Sequence, residues 1–310
     1  MMTETTSGMP DTGIWQLTAL QLCSSPDPAE NLRQIADLLQ QLPSERPQLV
    51  ALPEGALCFA GPDGANLAIA EPLSGPGVPL SNQQPLQQQL STLARLHQIY
   101  LLVGTLPTLT APTQTLPTQN TDPARFSASC LLFGPDGRLL SDYQKIHLFD
   151  ADVSDNTASY RESDTTKPGE KVTVADLGAV KVGLAICYDV RFPGLFTLLR
   201  QQGMNLLCLP SAFTTVTGAA HWHTLLRARA IETQSFVLAP AQTGTHANGR
   251  QTYGHSLIID PWGQVLADAG TEPGLISVRI DLQEVAAVRR KMPLALHNQF
   301  ICTQMTSEKL

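Results

Sequence analysis

The sequence predicts an α/β protein in which two mixed β-sheets pack face to face with helices outside, a four-layer α-β-β-α sandwich. Two observations lead to this fold class. Strand-like and helix-like segments alternate in the first third of the chain and again past its middle. A β-hairpin follows each of these two runs. A chain built from two such sets buries its apolar faces when the two sheets share one core.

The first third of the 310-residue chain alternates between strands and helices. Residues 14–23 are strand-like, and a helix is expected to follow because Asp27 can cap it, Pro28 fits its first position and Glu30 completes a capping box. Apolar residues then recur at helical spacing up to Leu42. The further elements are a strand over 48–55, a helix over 85–98 and a strand over 99–106.

Two hairpins follow from their turn sequences. The stretches "SASCLLFGPDGRLLSDYQK" and "GHSLIIDPWGQVLADAG" each contain two strand-like halves joined by a four-residue turn. The elements predicted between them are strands over 180–187, 205–210 and 236–241, and helices over 193–202 and 219–234.

The remaining segments set the domain organisation. Residues 1–12 are polar, lack the apolar core of a secretory signal and are predicted to be disordered. Residues 107–125 are rich in Thr and Pro and are predicted to form a loop insertion. Because strands continue on both sides of this loop, residues 13–310 are predicted to form a single domain.

Composition excludes several classes of function. A net charge of -7 and a pI near 5.5 argue against a nucleic-acid or anionic-membrane partner. No apolar run reaches the roughly 18 residues of a transmembrane helix. The 6 cysteines form no C-x-x-C pair, which favours reduced thiols in a cytoplasmic protein over a disulfide framework.

Four residues could carry chemistry together. Glu54, Lys145 and Cys187 follow or end predicted strands, and strand ends are where ligands bind in α/β sheets; Glu162 lies in a nearby loop. A thiol is about one part in thirty thiolate at pH 7, so Cys187 needs a base, for which Glu54 qualifies. Lys145 could donate to an oxyanion together with the backbone N–H of Tyr188 at a helix start.

Each of these residues also has a purely structural explanation. A lone cysteine at an apolar strand end is usually core, a Pro-Glu after a strand is usually a loop, and a lysine beside a histidine is usually solvated. The G-x-S-x-G motif is missing. His221 and His223 are two residues apart, which does not turn both toward one metal ion, so no metal site is expected.

Taken together, Pro53-Glu54, "YQKIHLFD", "YRES" and "ICYDVRFP" resemble the carbon–nitrogen hydrolase (nitrilase) superfamily, over roughly residues 14–300. The resemblance implies a nitrilase-type sandwich, a homodimer, and amide hydrolysis through a thioester acyl-enzyme with release of ammonia and without a cofactor. It also implies roles: Glu54 as general base, Lys145 as oxyanion partner, Cys187 as nucleophile, and Glu162 as the group that orients substrate and lysine.

Further motifs resemble the Nit branch of this family, which hydrolyses amides of 2-oxo acids. "SYRES", "LLRARAIE" and "VRRKMP" are closer to the members that cleave deaminated glutathione than to the ω-amidases that act on 2-oxoglutaramate. Arg191, Phe213 and Thr217 match positions near the substrate's carboxylate or chain. A guanidinium suits a carboxylate, but an ion pair of Arg191 with Asp189 or another acid explains this residue equally well.

Two positions depart from the family pattern. Gly194 and His223 stand where relatives usually carry glutamate. Because these acids normally lie close to the catalytic layer, their absence leaves the identity of the substrate undetermined. An ω-amidase, an N-carbamoyl amidohydrolase that would also release carbon dioxide, and a non-catalytic dimeric relative remain as alternatives to a deaminated glutathione amidase.

Overall fold

The computed structural model describes residues 13–109, 125–155, 157 and 159–305. Its strands are β1 (Ile14–Gln21), β2 (Gln48–Ala51), β3 (Glu71–Pro72), β4 (Tyr100–Leu109), β5 (Phe126–Phe133), β6 (Leu139–Gln144), β7 (Asp150–Asp152), β8 (Ser159–Arg161), β9 (Thr166–Lys167), β10 (Val174–Leu177), β11 (Val180–Leu184), β12 (Leu206–Cys208), β13 (Phe236–Ala239), β14 (Thr243–Thr245), β15 (Gln251–Tyr253), β16 (Leu257–Ile259), β17 (Val265–Asp268) and β18 (Gly274–Asp281). The α-helices are α1 (Pro28–Leu39), α2 (Ala65–Ala68), α3 (Pro85–His97), α4 (Pro193–Gln201), α5 (Thr215–Thr233), α6 (Gln283–Lys291) and α7 (Leu294–His297), and short 3₁₀ helices cover Glu162–Asp164 and Cys187–Arg191.

The two large sheets have the same internal plan. The first has the order β18-β1-β2-β4-β5-β6, with β3 beside β4 and β9 beside β5; the second has the order β10-β11-β12-β13-β16-β17. Each contains three neighbouring parallel strands with antiparallel strands on both sides. The prediction of two mixed sheets is confirmed.

Side-chain alternation along the strands produces the four layers. In β2 and the residue that follows it, Leu49 and Ala51 lie in the core between the sheets, whereas Val50 and Leu52 lie in a second core that α1 and α3 cover. The second sheet is covered on its outer face by α4 and α5, whose apolar side chains join the larger core. The helices are therefore outside, as the sequence predicts.

The structure corrects several boundaries. β4 runs to Leu109, beyond the predicted end at 106, because it continues to pair with β5 up to Thr108. The predicted insertion 107–125 therefore joins two antiparallel neighbours; residues 110–124 of it, like segment 1–12, lie outside the described residues. α5 begins at Thr215, four residues before the predicted start, because the Thr214 hydroxyl accepts a hydrogen bond from Thr217 N–H and caps the helix.

The start of α1 also differs in detail from the predicted capping box. Asp27 accepts from Ala29 N–H as a cap should, at 2.9 Å. Its own N–H, however, donates to the Ser25 hydroxyl, which in turn donates to the Glu30 carboxylate. Glu30 therefore reaches the cap through Ser25. Among the helices of the described chain, none is both long and apolar enough to cross a bilayer.

Candidate active site

Two strands of the first sheet bring a carboxylate and an ammonium to the same edge. β2 runs parallel to β4, while β5 is antiparallel to both β4 and β6, so β2 and β6 end at the same edge of the sheet. Glu54 follows β2 and Lys145 follows β6. The Lys145 ammonium donates to Glu54 Oε1 at 2.8 Å.

Glu162 completes this charged cluster from the 3₁₀ helix after β8. Its two carboxylate oxygens accept from Lys145 Nζ at 3.0 and 2.8 Å, and Oε2 also accepts from Phe149 N–H at 2.7 Å. The Lys145 side chain is only 2 % exposed. Burial would lower the pKa of Lys145, but the adjacent Glu162 and Glu54 carboxylates raise it well above its usual value. The lysine is therefore held as a cation and cannot act as the base.

Cys187 lies on a strained turn of the second sheet, where the predicted strand 180–187 ends early: β11 stops at Leu184 and Cys187 begins a 3₁₀ helix. It has a φ of 46°, in the left-handed region that costs a side-chain-bearing residue about 1–2 kcal/mol. The turn is fixed because Cys187 N–H donates to Pro210 O at 2.9 Å and Asp189 N–H donates to Ile186 O at 3.0 Å. The Tyr188 N–H of this turn has no hydrogen-bond acceptor among the described residues.

The Cys187 thiol and the Glu54 carboxylate shift each other's pKa in opposite directions. Burial, the adjacent Glu54 carboxylate and a hydrogen bond to it raise the pKa of Cys187, and this outweighs the opposing effects of Lys145 and the Ala212 N–H. Burial also acts to raise the pKa of Glu54, but Lys145 and the hydrogen bond with Cys187 bring it below the usual range. The resting pair is therefore a neutral thiol beside an ionised carboxylate, an arrangement in which Glu54 can accept the thiol proton.

Asp189 connects the Cys187 turn to the Lys145 segment. Its carboxylate is fully buried and accepts from Ile186 N–H at 2.8 Å on one side. On the other side it accepts from the Tyr143 hydroxyl at 2.7 Å and bonds to His147 through N–H and ring, at 3.1 and 2.7 Å. One side chain thus fixes the relative positions of two segments from different sheets. The residues that make these contacts stand in the motifs "YQKIH" and "ICYD", but nothing in the sequence indicates that the two motifs are in contact.

One cavity of about 340 Å³ opens above the cluster, and all eight residues singled out from the sequence line it. Besides the four central residues, these are Tyr188, Arg191, Phe213 and Thr217. Arg191 lies with its guanidinium carbon 5.9 Å from the centroid of the Tyr188 ring and 5.4 Å from that of Phe213. The structure therefore brings the whole sequence-derived set together in a pocket of ligand-binding size.

The alternative explanation of Arg191 as half of an ion pair with Asp189 is wrong. Asp189 faces away, toward Tyr143 and His147, and its oxygens are occupied there. In the part of the chain that the structure describes, no carboxylate lies within ion-pair distance of Arg191, whose Nη1 instead lies 3.2 Å from His221 Nδ1. The guanidinium is therefore available to an anionic ligand.

The two positions that depart from the family pattern do not line the cavity. Gly194 is the second residue of α4 and contacts Cys302, whose thiol lies 3.5 Å from the Gly194 carbonyl oxygen. His223 Nε2 lies 3.0 Å from Asp268 Oδ2, and Asp268 Oδ1 lies 2.9 Å from His255 Nδ1. These three side chains each present a potential ligand atom within 4.8 Å of the others, a cluster that the spacing of His221 and His223 did not indicate.

Sequence reasoning missed two charged residues in the cavity, Arg250 and Arg161, the second of which is ion-paired with Asp152. Arg250 lies in the hairpin formed by β14 and β15 and lines the same space as Cys187. The segment "HANGRQTYG" carries turn residues but no pattern that indicates a ligand contact. Its place became apparent only from the fold.

Comparison with known proteins agrees with this geometry. The family model described as carbon-nitrogen hydrolase matches residues 16–290. Deaminated glutathione amidase of Yersinia enterocolitica is 40 % identical over 282 residues, which is 91 % of this chain and 92 % of that protein, and omega-amidase NIT2 of Xenopus tropicalis is 36 % identical over 90 % and 93 %. Nit3 of Saccharomyces cerevisiae, a solved member of the nitrilase superfamily, superposes with a TM-score of 0.78 at 32 % identity, covering 93 % of this chain and 97 % of that one.

Proposed function

Since the chain belongs to the carbon–nitrogen hydrolase family and is an amidase of its Nit branch, we propose that its substrate is deaminated glutathione. In this molecule a 2-oxo acid is joined through an amide to cysteinylglycine. Hydrolysis yields 2-oxoglutarate and the dipeptide, so ammonia is released only from a primary amide such as 2-oxoglutaramate.

Acylation follows from the pairing of Glu54 and Cys187. Glu54 takes the thiol proton while Sγ attacks the amide carbon, so that no free thiolate has to exist in the resting enzyme. The negative charge that develops on the carbonyl oxygen is stabilised by Lys145 Nζ and Tyr188 N–H. An ammonium has three N–H donors, and sharing one between the two oxygens of Glu162 leaves one for the oxyanion.

Breakdown of the tetrahedral intermediate formed by this attack returns the proton to the substrate. Glu54 gives it to the amide nitrogen, the C–N bond breaks and the amine leaves, which produces a thioester on Cys187. Water then attacks the thioester carbon, Glu54 takes a proton from the water, and that proton passes to Sγ as the C–S bond breaks. The sum is an amide plus water giving an acid plus an amine, with the enzyme unchanged.

The observation that carries the substrate class is the guanidinium of Arg191 in the cavity of Cys187, which has no carboxylate partner among the described residues. Its five N–H donors match the two oxygens of a carboxylate, and the 2-oxo acid half of the substrate supplies that carboxylate. The choice of deaminated glutathione over 2-oxoglutaramate is supported by the 40 % identical relative that bears this name.

The test compares the two substrates on the purified protein. 2-Oxoglutarate, a product of both reactions, is measured for wild type and for Cys187→Ala with deaminated glutathione and with 2-oxoglutaramate. We expect the higher kcat/KM on deaminated glutathione and no turnover by the variant. Intact-mass analysis after quenching should show an added 2-oxoglutaryl group on wild-type Cys187.

Each other outcome identifies a different function. A higher kcat/KM on 2-oxoglutaramate would make the protein an ω-amidase and overturn the substrate assignment. Release of carbon dioxide from an N-carbamoyl amino acid, without turnover of either 2-oxo acid, would indicate a carbamoyl hydrolase. Failure on all three, with no preferential labelling of Cys187 by a thiol reagent near pH 7, would support the non-catalytic relative.

We also propose that the protein is a homodimer that acts in the cytoplasm. All six cysteines are free thiols, as a reducing compartment allows. Large apolar side chains are exposed on the second-sheet side and near the C-terminus, where Trp262 is 60 %, Phe300 84 % and Ile301 90 % exposed. Pairing two copies of the chain through these side chains would remove their apolar surface from water, which is favourable. Light scattering should give twice the 33.4 kDa chain mass; a monomer mass would contradict the proposal.

A further inference from the structure

The cavity contains a second guanidinium, that of Arg250, on a wall different from that of Arg191. Its carbon lies 4.8 Å from the centroid of the Phe59 ring and 5.0 Å from that of Tyr160. Arg191 contacts Tyr188 and Phe213 instead. Each arginine therefore has its own pair of aromatic rings, which fix the plane of the guanidinium by cation–π contact.

The Arg250 guanidinium is held in the wall of the cavity that contains the reacting groups. Its Nη2 donates to the carbonyl oxygen of Ala212 at 3.0 Å. Ala212 lines the cavity together with Cys187, and the positive charge of Arg250 contributes to the lowered pKa of Glu54. Arg250 thus faces the same space as the thiol and its base, from the β14–β15 hairpin.

Arg250 has no direct carboxylate partner in the described part of the protein. No carboxylate among the described residues lies within ion-pair distance, and its Nε is buried without a hydrogen-bond partner. A partly buried cation with unused donors is costly unless an anion accompanies it. Such an arginine is expected where a ligand supplies the missing negative charge.

Direct ion pairs in the cavity show which cations lack a carboxylate contact. Lys145 is bonded to both Glu54 and Glu162, and Arg161 is paired with Asp152 at 2.9 Å. Among the described residues, Arg191 and Arg250 have no carboxylate within ion-pair distance. A ligand with two carboxylates, one at each end, would give each arginine a direct partner, whereas a ligand with one would leave one arginine without such a contact.

We propose that Arg250 binds the carboxylate of the leaving group, and that the enzyme selects amides whose amine half is a short peptide ending in a free carboxylate. This inference rests on the proposed function, in which Arg191 binds the carboxylate of the 2-oxo acid half. A dipeptide leaving group such as cysteinylglycine spans at most about 7 Å, and Arg250 lines the same cavity as Cys187. 2-Oxoglutaramate lacks this second carboxylate, so Arg250 becomes the residue that separates the two substrates.

The experiment compares three substrates on the full-length wild-type enzyme. These are deaminated glutathione, the same molecule with its C-terminal carboxylate converted to an amide, and 2-oxoglutaramate. Loss of one charge-assisted contact should lower kcat/KM for the amidated analogue about 10- to 100-fold relative to deaminated glutathione, mainly through KM. This part needs no mutant, so it does not depend on whether a variant folds.

Arg250→Gln should remove the preference, so that deaminated glutathione and its amidated analogue are cleaved with the same kcat/KM. Arg250→Lys keeps the charge and should restore part of the ratio. Arg191→Gln is the matched control, because it should lower kcat/KM for all three substrates while leaving the ratio between deaminated glutathione and its analogue intact.

Three results would overturn the inference. If the wild-type enzyme has equal kcat/KM for deaminated glutathione and its amidated analogue, no group of the enzyme recognises the terminal carboxylate. If Arg250→Gln leaves the ratio of kcat/KM for deaminated glutathione and its amidated analogue unchanged, a residue other than Arg250 binds the terminal carboxylate. If that ratio is lost in Arg191→Gln instead, Arg191 binds the terminal carboxylate and Arg250 the carboxylate of the 2-oxo acid half. If wild type cleaves none of the three substrates, the proposed function itself fails, and that result is distinct from the others.

Discussion

The two sheet edges that meet at the site are organised by different forces. The first-sheet edge is an electrostatic cluster, in which one buried ammonium is bonded to Glu54 and Glu162. The second-sheet edge is a backbone turn in a strained conformation, in which Cys187 is kept at a positive φ by backbone hydrogen bonds and by Asp189. The first edge sets protonation states, and the second sets where the sulfur points. Catalysis needs both, so each edge can be disturbed separately.

The largest effect is expected from removing the base on the first edge. Glu54→Gln keeps the size of the side chain but leaves no group to accept the Cys187 proton, and general base catalysis contributes about 10²–10⁴-fold. We expect kcat/KM to fall by this factor in a steady-state assay of 2-oxoglutarate formation.

The matched control is Glu71→Gln, which changes another buried glutamate of the first sheet. Glu71 accepts from the N–H groups of Leu86 and Gln87 at the start of α3 and does not line the cavity. It should lower stability without changing kcat/KM. Full activity of Glu54→Gln would instead remove Glu54 from the mechanism.

The link between the two edges gives the next largest effect. Asp189→Asn replaces a charged acceptor that receives bonds from Ile186, Tyr143 and His147. A hydrogen bond to a charged group contributes about 1.5–3 kcal/mol, so urea unfolding should show a free energy of unfolding lowered by at least this much. Displacement of the Cys187 turn should also reduce kcat by up to about 10²-fold.

Asp176→Asn serves as the reference for this change. Asp176 forms an exposed ion pair with Lys181 at 2.8 Å, and such pairs contribute about 0–1 kcal/mol. Equal losses of stability in the two variants would mean that Asp189 does not connect the sheet edges.

The first edge also makes a prediction about pH. The active form needs an ionised Glu54 and a neutral Cys187 thiol. Because Lys145 lowers the pKa of Glu54, the acid limb of kcat/KM should lie below the usual value of about 4.3, and because burial and Glu54 raise the pKa of Cys187, the basic limb should lie above about 8.5. A profile of kcat/KM against pH should therefore be level between these values. A limb near 6.5 would point to a histidine base and contradict the pairing.

The sequence predicts the electrostatic edge better than the strained second-sheet edge. Glu54 and Lys145 could be located because each follows a strand with a clear apolar pattern, and strands that run in one direction end at one edge. The positive φ of Cys187 has no local signal, since the turn is held by Pro210 and by Asp189, and Pro210 and the Asp189 partners Tyr143 and His147 are distant in sequence. Arg250 was missed for the same reason, because its neighbour Phe59 is almost two hundred positions away along the chain.

The smallest effect is expected at Gly194, where the family pattern has glutamate but the structure places the residue outside both edges. Its φ is not in the left-handed region, and an added Cβ would lie 3.5 Å from the Cys302 thiol, an ordinary contact. Replacing a glycine in a helix gains about 0.5–1 kcal/mol, and an acid in the first turn adds about 0.3–1 kcal/mol. Gly194→Glu should therefore raise the free energy of unfolding, with Gly194→Ala giving the smaller gain because it lacks the charge. Neither variant should change the ratio of kcat/KM for deaminated glutathione and 2-oxoglutaramate; a shift in that ratio would mean that the helix after Cys187 belongs to the substrate site after all.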